Sequence, residues 1–202
     1  MRLFSAVLPP EGAVRELAAE VAGLRTLPGA DRLRWTGRAD WHFTLAFYGE
    51  VHPELLPELC ERLARAARRH PPYPLRIAGG GRFADRVVWA GAEGGRPAMG
   101  RLADSASAAA RRAGVPMKEQ RPYAPHLTLA RNRTAGVDLR PFVAGIEGFR
   151  GQEWTVGELV LVRSHLPVDG VAGQRPRYET VAAWPLGNRD GRLRSKGGPQ
   201  DS

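Results

Sequence analysis

Two stretches, Trp41-His42-Phe43-Thr44-Leu45-Ala46-Phe47 and Pro125-His126-Leu127-Thr128-Leu129-Ala130-Arg131, share the pattern His-apolar-Thr-Leu-Ala, one in each half of the chain. Each is apolar-rich and bounded by turn formers, so each predicts a short strand. Side chains alternate across a strand with period two. His42 and Thr44 therefore share one face, while Phe43 and Leu45 take the other. His126 and Thr128 repeat the arrangement, opposed by Leu127 and Leu129. The apolar sets belong in a core, and the polar sets then face a cleft or solvent. Two imidazoles and two hydroxyls facing each other suit an anionic phosphate centre. A single His-x-Thr-Leu carries no weight; two copies, each followed by Ala, do.

The flanking chain predicts an α+β architecture. Residues 2–8 read as a buried strand closed by Pro9-Pro10. Val14, Leu17, Val21 and Leu24 recur at helical spacing and predict a helix near 11–26, stopped by Pro28-Gly29. Gly37-Arg38-Ala39-Asp40 leads into the first motif strand. Leu55, Leu56, Leu59 and Leu63 mark a helix to about Arg69, where His70 complements the helix dipole. Strands are expected at 75–78 and 86–90, with Gly79-Gly80-Gly81 between them as a turn or bulge, because the Lys and spacing of a P-loop are missing. An Ala-rich helix over 96–113, a short helix over 138–144 and two strands at 158–164 and 178–184 follow, the last pair joined by a Gly-rich hairpin loop. Each half reads strand, helix, motif strand, helix. That repeat predicts two similar lobes whose antiparallel sheets face a central cleft, with helices outside. Residues 1–186 form this one domain, and 187–202 read as a polar, Gly-rich disordered tail.

Length and composition bound the rest. A chain of 202 residues with 43% hydrophobic residues can bury a core as a single domain. The formal net charge is +9, and all basic residues except Lys118 and Lys196 are Arg. Such a surface favours polyanionic partners, although abundant Arg, Ala, Gly and Pro also fit a biased genome. The single cysteine, Cys60, excludes an intrachain disulfide and falls among leucines as a small apolar residue. Met1–Leu8 is too short for a secretory segment, and no run reaches the length of a membrane span. A cytoplasmic protein without membrane attachment is expected.

With these residues in place, the sequence resembles the two-histidine phosphoesterase superfamily. Within it, the chain is similar to the RNA 2′,3′-cyclic phosphodiesterases, also called 2′-5′ RNA ligases. The resemblance rests on Arg2-Leu3-Phe4, Trp35, His42-Phe43-Thr44-Leu45-Ala46-Phe47 with Gly49-Glu50-Val51, and Pro125-His126-Leu127-Thr128-Leu129-Ala130-Arg131. Ser164, Tyr178 and Trp184-Pro185-Leu186 extend it to about residue 186. Gly37-Arg38-Ala39-Asp40 departs from the family, which more often carries a Pro-Glu-Asn-like turn there.

The resemblance implies hydrolysis of a terminal 2′,3′-cyclic phosphate to a 2′-phosphate, with His42 as proton donor and His126 as proton acceptor. Residue chemistry alone supports a base and an acid but does not order them, since two histidines of ordinary pKa near 6.5 can hold opposite protonation states. Thr44 and Thr128 are candidate donors to the non-bridging oxygens. Arg131 is a candidate phosphate clamp, Tyr178 a base-stacking residue, and Phe4 either that or core. Arg38 is a weak candidate for a second phosphate. No cofactor or metal is expected: Asp40, two residues before His42, is a turn or supporting residue rather than a ligand. His52 and His165 read as surface residues. The expected partner is RNA with a 2′,3′-cyclic phosphate end or a cyclic nucleotide, bound by a monomer without an obligate protein partner. Three alternatives compete: 2′-5′ ligation, hydrolysis of a small cyclic nucleotide or ADP-ribose cyclic phosphate, and a non-catalytic RNA-end binding module. Paired histidines argue against the last, because binding alone does not require two titrating groups.

Overall fold

A computed structural model describes residues 1–117, 122–133, 136–165 and 177–187. The N-terminal strand β1 (Arg2–Val7) leads into helix α1 (Glu11–Leu24) and the two-residue strand β2 (Arg34–Trp35). The first motif strand, β3 (Phe43–Glu50), precedes α2 (Leu56–Arg68). The hairpin β4 (Tyr73–Phe83) and β5 (Val87–Gly94) is followed by α3 (Arg96–Arg112). The second motif strand, β6 (Leu127–Arg131), is followed by α4 (Arg140–Glu147), β7 (Trp154–Val156), β8 (Glu158–His165) and β9 (Arg177–Pro185). The Gly-rich loop expected between the last two strands, and the tail from 188 onward, lie outside the described residues.

Two antiparallel sheets form, in the orders β3-β1-β8-β9 and β2-β6-β5-β4-β7. Helices α2 and α3 pack on the first sheet, and α1 and α4 on the second. The expected α+β architecture of two lobes is present, but the lobes do not follow the halves of the chain. The first half contributes α1 and β2 to the second lobe, and the second half contributes α3, β8 and β9 to the first. Burial drives the exchange. Leu17, Val21 and Leu24 of α1 are at most 4% exposed, and their apolar stripe is covered by the second sheet and α4. The helix periodicity reports that a stripe exists, without saying which sheet covers it. No helix among the described residues is long and apolar enough to cross a membrane.

The triple glycine lies inside β4 instead of between two strands, and the chain reverses three residues later. Pairing with β5 slips between Ile77 and Gly80, a bulge where Gly79 adopts φ +61°. The displaced backbone is taken up elsewhere: Gly79 N–H donates to Phe149 O at 2.8 Å. At Gly80 a Cβ would lie 2.5 Å from both Ile146 Cγ2 and the Trp89 carbonyl. The glycine therefore lets α4 close onto the sheet. Gly80→Ala should destabilise the fold by about 1–3 kcal/mol through overpacking. Chemical denaturation measures this, and an unchanged midpoint would show that α4 can move aside freely.

Candidate active site

Each motif strand carries an extra residue at the same place, and β3 has a second slip at Tyr48. In β3, Ala6 pairs with Thr44 and Ser5 with Ala46, so Leu45 is the inserted residue of a bulge. In β6, Trp89 pairs with Thr128 and Val88 with Ala130, so Leu129 is inserted. The bulge turns Leu and Ala both inward: Leu45, Ala46, Leu129 and Ala130 are each at most 3% exposed. The residue after them, Phe47 in one strand and Arg131 in the other, comes back to the cleft side. Strict alternation places Phe47 with Phe43 and Leu45 in the core; the structure leaves it 46% exposed. The doubled Leu-Ala after both threonines was the available signal.

The two histidines stand immediately before their strands and are held alike. His42 Nδ1 lies 2.7 Å from the Asp40 carbonyl, and His126 Nδ1 lies 2.9 Å from the Ala124 carbonyl, each two residues upstream. A carbonyl only accepts, so each Nδ1 carries the proton and donates, leaving Nε2 as the titrating atom. For His42 the acceptor ends a short 3-10 turn, Arg38–Asp40, whose last carbonyls need partners from outside the turn. The Asp40 contact with His42 is thus a backbone one. Ala124 precedes Pro125, which favours extended backbone.

Phe4 stacks on His42 with ring centroids 4.7 Å apart and planes 29° apart. Tyr178 meets both rings edge-on, at 5.5 Å from Phe4 and 5.2 Å from His42. Phe4 is 4% exposed, so it serves as a wall behind His42, and one face of its ring is taken.

His42, Thr44, His126, Thr128, Arg131 and Tyr178 all line one cleft of about 530 Å³, with Phe4 in its wall. That volume lies within the range of nucleotide-sized ligand sites. Arg2, Arg34 and Arg133 also border it, as do Phe47 and Ser164. Arg2 places its guanidinium 4.7 Å from the centre of the Phe47 ring. The sequence does not single out Arg34 and Arg133, because isolated arginines in an Arg-rich chain carry no distinguishing signal.

Desolvation lowers the pKa of His42 from its ordinary 6.5, and the positive charges of His126 and Arg131 lower it further, partly offset by the bond to Asp40. Desolvation, then the charge of Asp40, raises the pKa of the Tyr178 hydroxyl, which therefore remains a hydrogen-bond donor at neutral pH. Among the described residues no group of three or more His, Cys, Asp or Glu is arranged to hold a metal ion.

The remaining candidates lie elsewhere. Arg38 pairs with Glu11 at 3.7 Å on the surface. His52 is exposed beside Glu54, and His165 pairs with Glu179 across β8 and β9 at 2.9 Å. His70, just past the end of α2, places its Nε2 2.8 Å from Ser105 Oγ on α3. Desolvation, with Arg101 and Arg69, lowers its pKa. Its role is to tie the end of α2 to α3. Cys60 is half-buried against the core, and desolvation raises its thiol pKa, in keeping with a packing role.

This geometry has relatives. A Thermus thermophilus RNA 2′,3′-cyclic phosphodiesterase is 31% identical over 98% of this chain and 96% of its own length. The chain belongs to that family. The LigT like phosphoesterase pattern matches residues 7–89, which include the first motif but not the second. A Geobacillus stearothermophilus RNA 2′,3′-cyclic phosphodiesterase is 34% identical over 78% of this chain, which spans 49% of that protein's length. The apo structure of Escherichia coli LigT superposes with a TM-score of 0.72 at 27% identity, covering 93% of this chain and 98% of LigT. LigT has also been solved in complex with 3′-AMP. For this member of the phosphodiesterase family, burial and neighbouring cations both oppose protonation of His42 in the empty cleft. A phosphate anion beside the ring reverses part of that effect. In an NMR titration, His42 should titrate below 6.5 in the free protein and move upward when inorganic phosphate is added. No upward movement would mean that phosphate does not bind beside His42.

Proposed function

We propose that this protein hydrolyses RNA 2′,3′-cyclic phosphate ends to 2′-phosphates, with His42 as proton donor and His126 as proton acceptor. The observation that carries the reading is the matched pair of histidines, each fixed through Nδ1 to the carbonyl two residues before it and each followed by a threonine on the same cleft. The names of its relatives, and the 3′-AMP complex of LigT, support a nucleotide-bearing substrate.

In this mechanism His126 Nε2 takes a proton from water as the water oxygen bonds to phosphorus. The bond from phosphorus to the 3′ oxygen breaks, and His42 Nε2 delivers a proton to that oxygen. The product carries a 2′-phosphate and a free 3′-hydroxyl; His126 then releases its proton to solvent and His42 takes one up, which restores the starting state. Thr44 and Thr128 donate to the non-bridging oxygens, whose negative charge strengthens such bonds. Arg131 neutralises charge developing on the same group, and Tyr178 contacts the nucleoside. Since His42 is depressed in the free protein, its protonated form is populated through the bound phosphate, so the substrate assists in charging its own acid. RNA ends bring a cytoplasmic working site, and a monomer is the expected form, checked by solution mass.

General acid and base catalysis each contribute about 10² to 10⁴ in rate. His42→Ala and His126→Ala should therefore each lower kcat on a cyclic-phosphate-ended oligomer by about that factor, while the wild-type enzyme keeps its rate in EDTA. A substrate with sulfur in place of the 3′ bridging oxygen separates the roles, because a thiolate leaves without a proton. That substrate should restore His42→Ala and leave His126→Ala inactive. The opposite pattern would exchange acid and base. Near-wild-type turnover in either variant would remove that histidine from the chemistry.

Thr44→Val and Thr128→Val keep shape and delete the hydroxyl. A hydrogen bond to a charged group is worth about 1.5–3 kcal/mol, so kcat/KM should fall by roughly ten- to a hundred-fold. Unchanged values for both would reduce the threonines to strand formers.

A further inference from the structure

The two histidines differ in what lies behind them. His42 rests on Phe4, from the middle of a sheet. His126 is met edge-on by Phe83, with ring centroids 4.8 Å apart and planes at 90°. Phe83 is the last residue of β4 and is 41% exposed.

The turn that carries Phe83 is held in an unusual shape. Arg86 N–H donates to Phe83 O at 3.1 Å, closing a tight reversal in which Ala84 adopts φ +47°. A residue with a Cβ adopts this conformation only where its surroundings impose it. Arg82 supplies one restraint, donating to Ala84 O at 3.0 Å and pairing with Asp85. Asn132 supplies the other from the end of the second motif strand. Its backbone N–H donates to Arg86 O at 2.8 Å. Its side-chain Nδ2 donates to Asp85 O and to Val137 O, both at 2.9 Å. Asn132 is 3% exposed, and buried amides are retained where such bonds are made. Trp89 braces Phe83 from the other side, with ring centroids 5.5 Å apart.

We propose that Phe83 is a positioning residue for His126. His126 leads into β6, and Asn132 follows it; Asn132 straps the β4–β5 turn; the turn sets Phe83 against the His126 ring. Among the described residues the imidazole has one polar anchor, its Nδ1–H bond to Ala124 O. A single anchor leaves the ring free to rotate away from it, and the edge of Phe83 occupies the space into which it would swing. Nε2 is thereby kept aimed at the phosphate before substrate arrives. Misplacement of a reacting group by about 1 Å can cost on the order of 10² in rate. Binding contacts from the threonines do not depend on this ring.

The inference rests on His126 acting on the phosphate, and its test reads the ring directly as well as the rate. Imidazole ¹⁵N spectra of wild type, Phe83→Ala and Phe83→Tyr are compared, together with turnover of 2′,3′-cyclic CMP. Because Phe83 is well exposed, the truncation leaves the core in place. In Phe83→Ala, His126 should lose its single Nδ1–H form and become a mixture of tautomers, while His42 stays unchanged. Its kcat should fall about ten-fold with KM nearly constant, and Phe83→Tyr should recover both readouts. An unaltered His126 spectrum in Phe83→Ala overturns the proposal, and so does an unaltered kcat. If the wild-type protein does not turn over the cyclic nucleotide, the proposed reaction fails for that substrate, and the spectrum still decides the positioning role.

Discussion

A strand that alternates strictly cannot send Thr outward, Leu and Ala inward, and the next residue outward again. The bulge at Leu45 and its counterpart at Leu129 make this arrangement possible, and the cleft depends on both. Each inserted leucine is fully committed to the core, and burying such a side chain is worth about 1.5–3 kcal/mol. A slip of one residue in either strand would expose that leucine and its neighbour while driving a histidine and a threonine into apolar surroundings. The core therefore fixes the register, and the register aims the polar groups. After the bulge the two strands diverge in chemistry: one presents the Phe47 ring, the other the Arg131 guanidinium, so a cleft built by repetition has an apolar side and a charged side.

The anchoring of the histidines by backbone carbonyls has an electrostatic consequence. A carboxylate behind the ring would favour the imidazolium strongly, and two such pairs would hold both histidines in one state. A carbonyl fixes the tautomer at smaller electrostatic cost and leaves proton affinity to the rest of the cleft. There, desolvation and nearby cations depress His42, and an arriving phosphate supplies the opposing charge. Acid–base asymmetry is then a property of the complex more than of either residue.

The exchange of elements between the two halves interlocks them. Strand β2 comes from the first half of the chain to pair with β6, and β8 returns from the second half to pair with β1. Each lobe is completed by chain from the other half, so the two halves of the chain cannot come apart without breaking sheet pairing and uncovering the stripes of α1 and α3. Under the proposed mechanism the two histidines act on one phosphate, and rate depends on their mutual placement to within about an ångström.

The sequence alone determined the parts whose physics is local. Helical spacing located α1 and α2, Ala-rich composition located α3, and the paired motifs identified His42, Thr44, His126 and Thr128 as a polar set opposite an apolar one. Side-chain period and residue chemistry require only neighbours along the chain, and those are visible in it. Tertiary structure decided which helix covers which sheet, that the triple glycine is a bulge beneath α4, and that Phe47 faces the cleft. It also brought Phe83 to His126, from residues 43 positions apart in the chain. These outcomes depend on close contacts between distant segments: a methyl that would overlap Ile146, a carbonyl within reach of Asn132, a ring whose centre lies 4.8 Å from that of an imidazole. Periodicity records that a face will be buried or a turn will close, but the partner that buries or straps it exists only once the chain has folded.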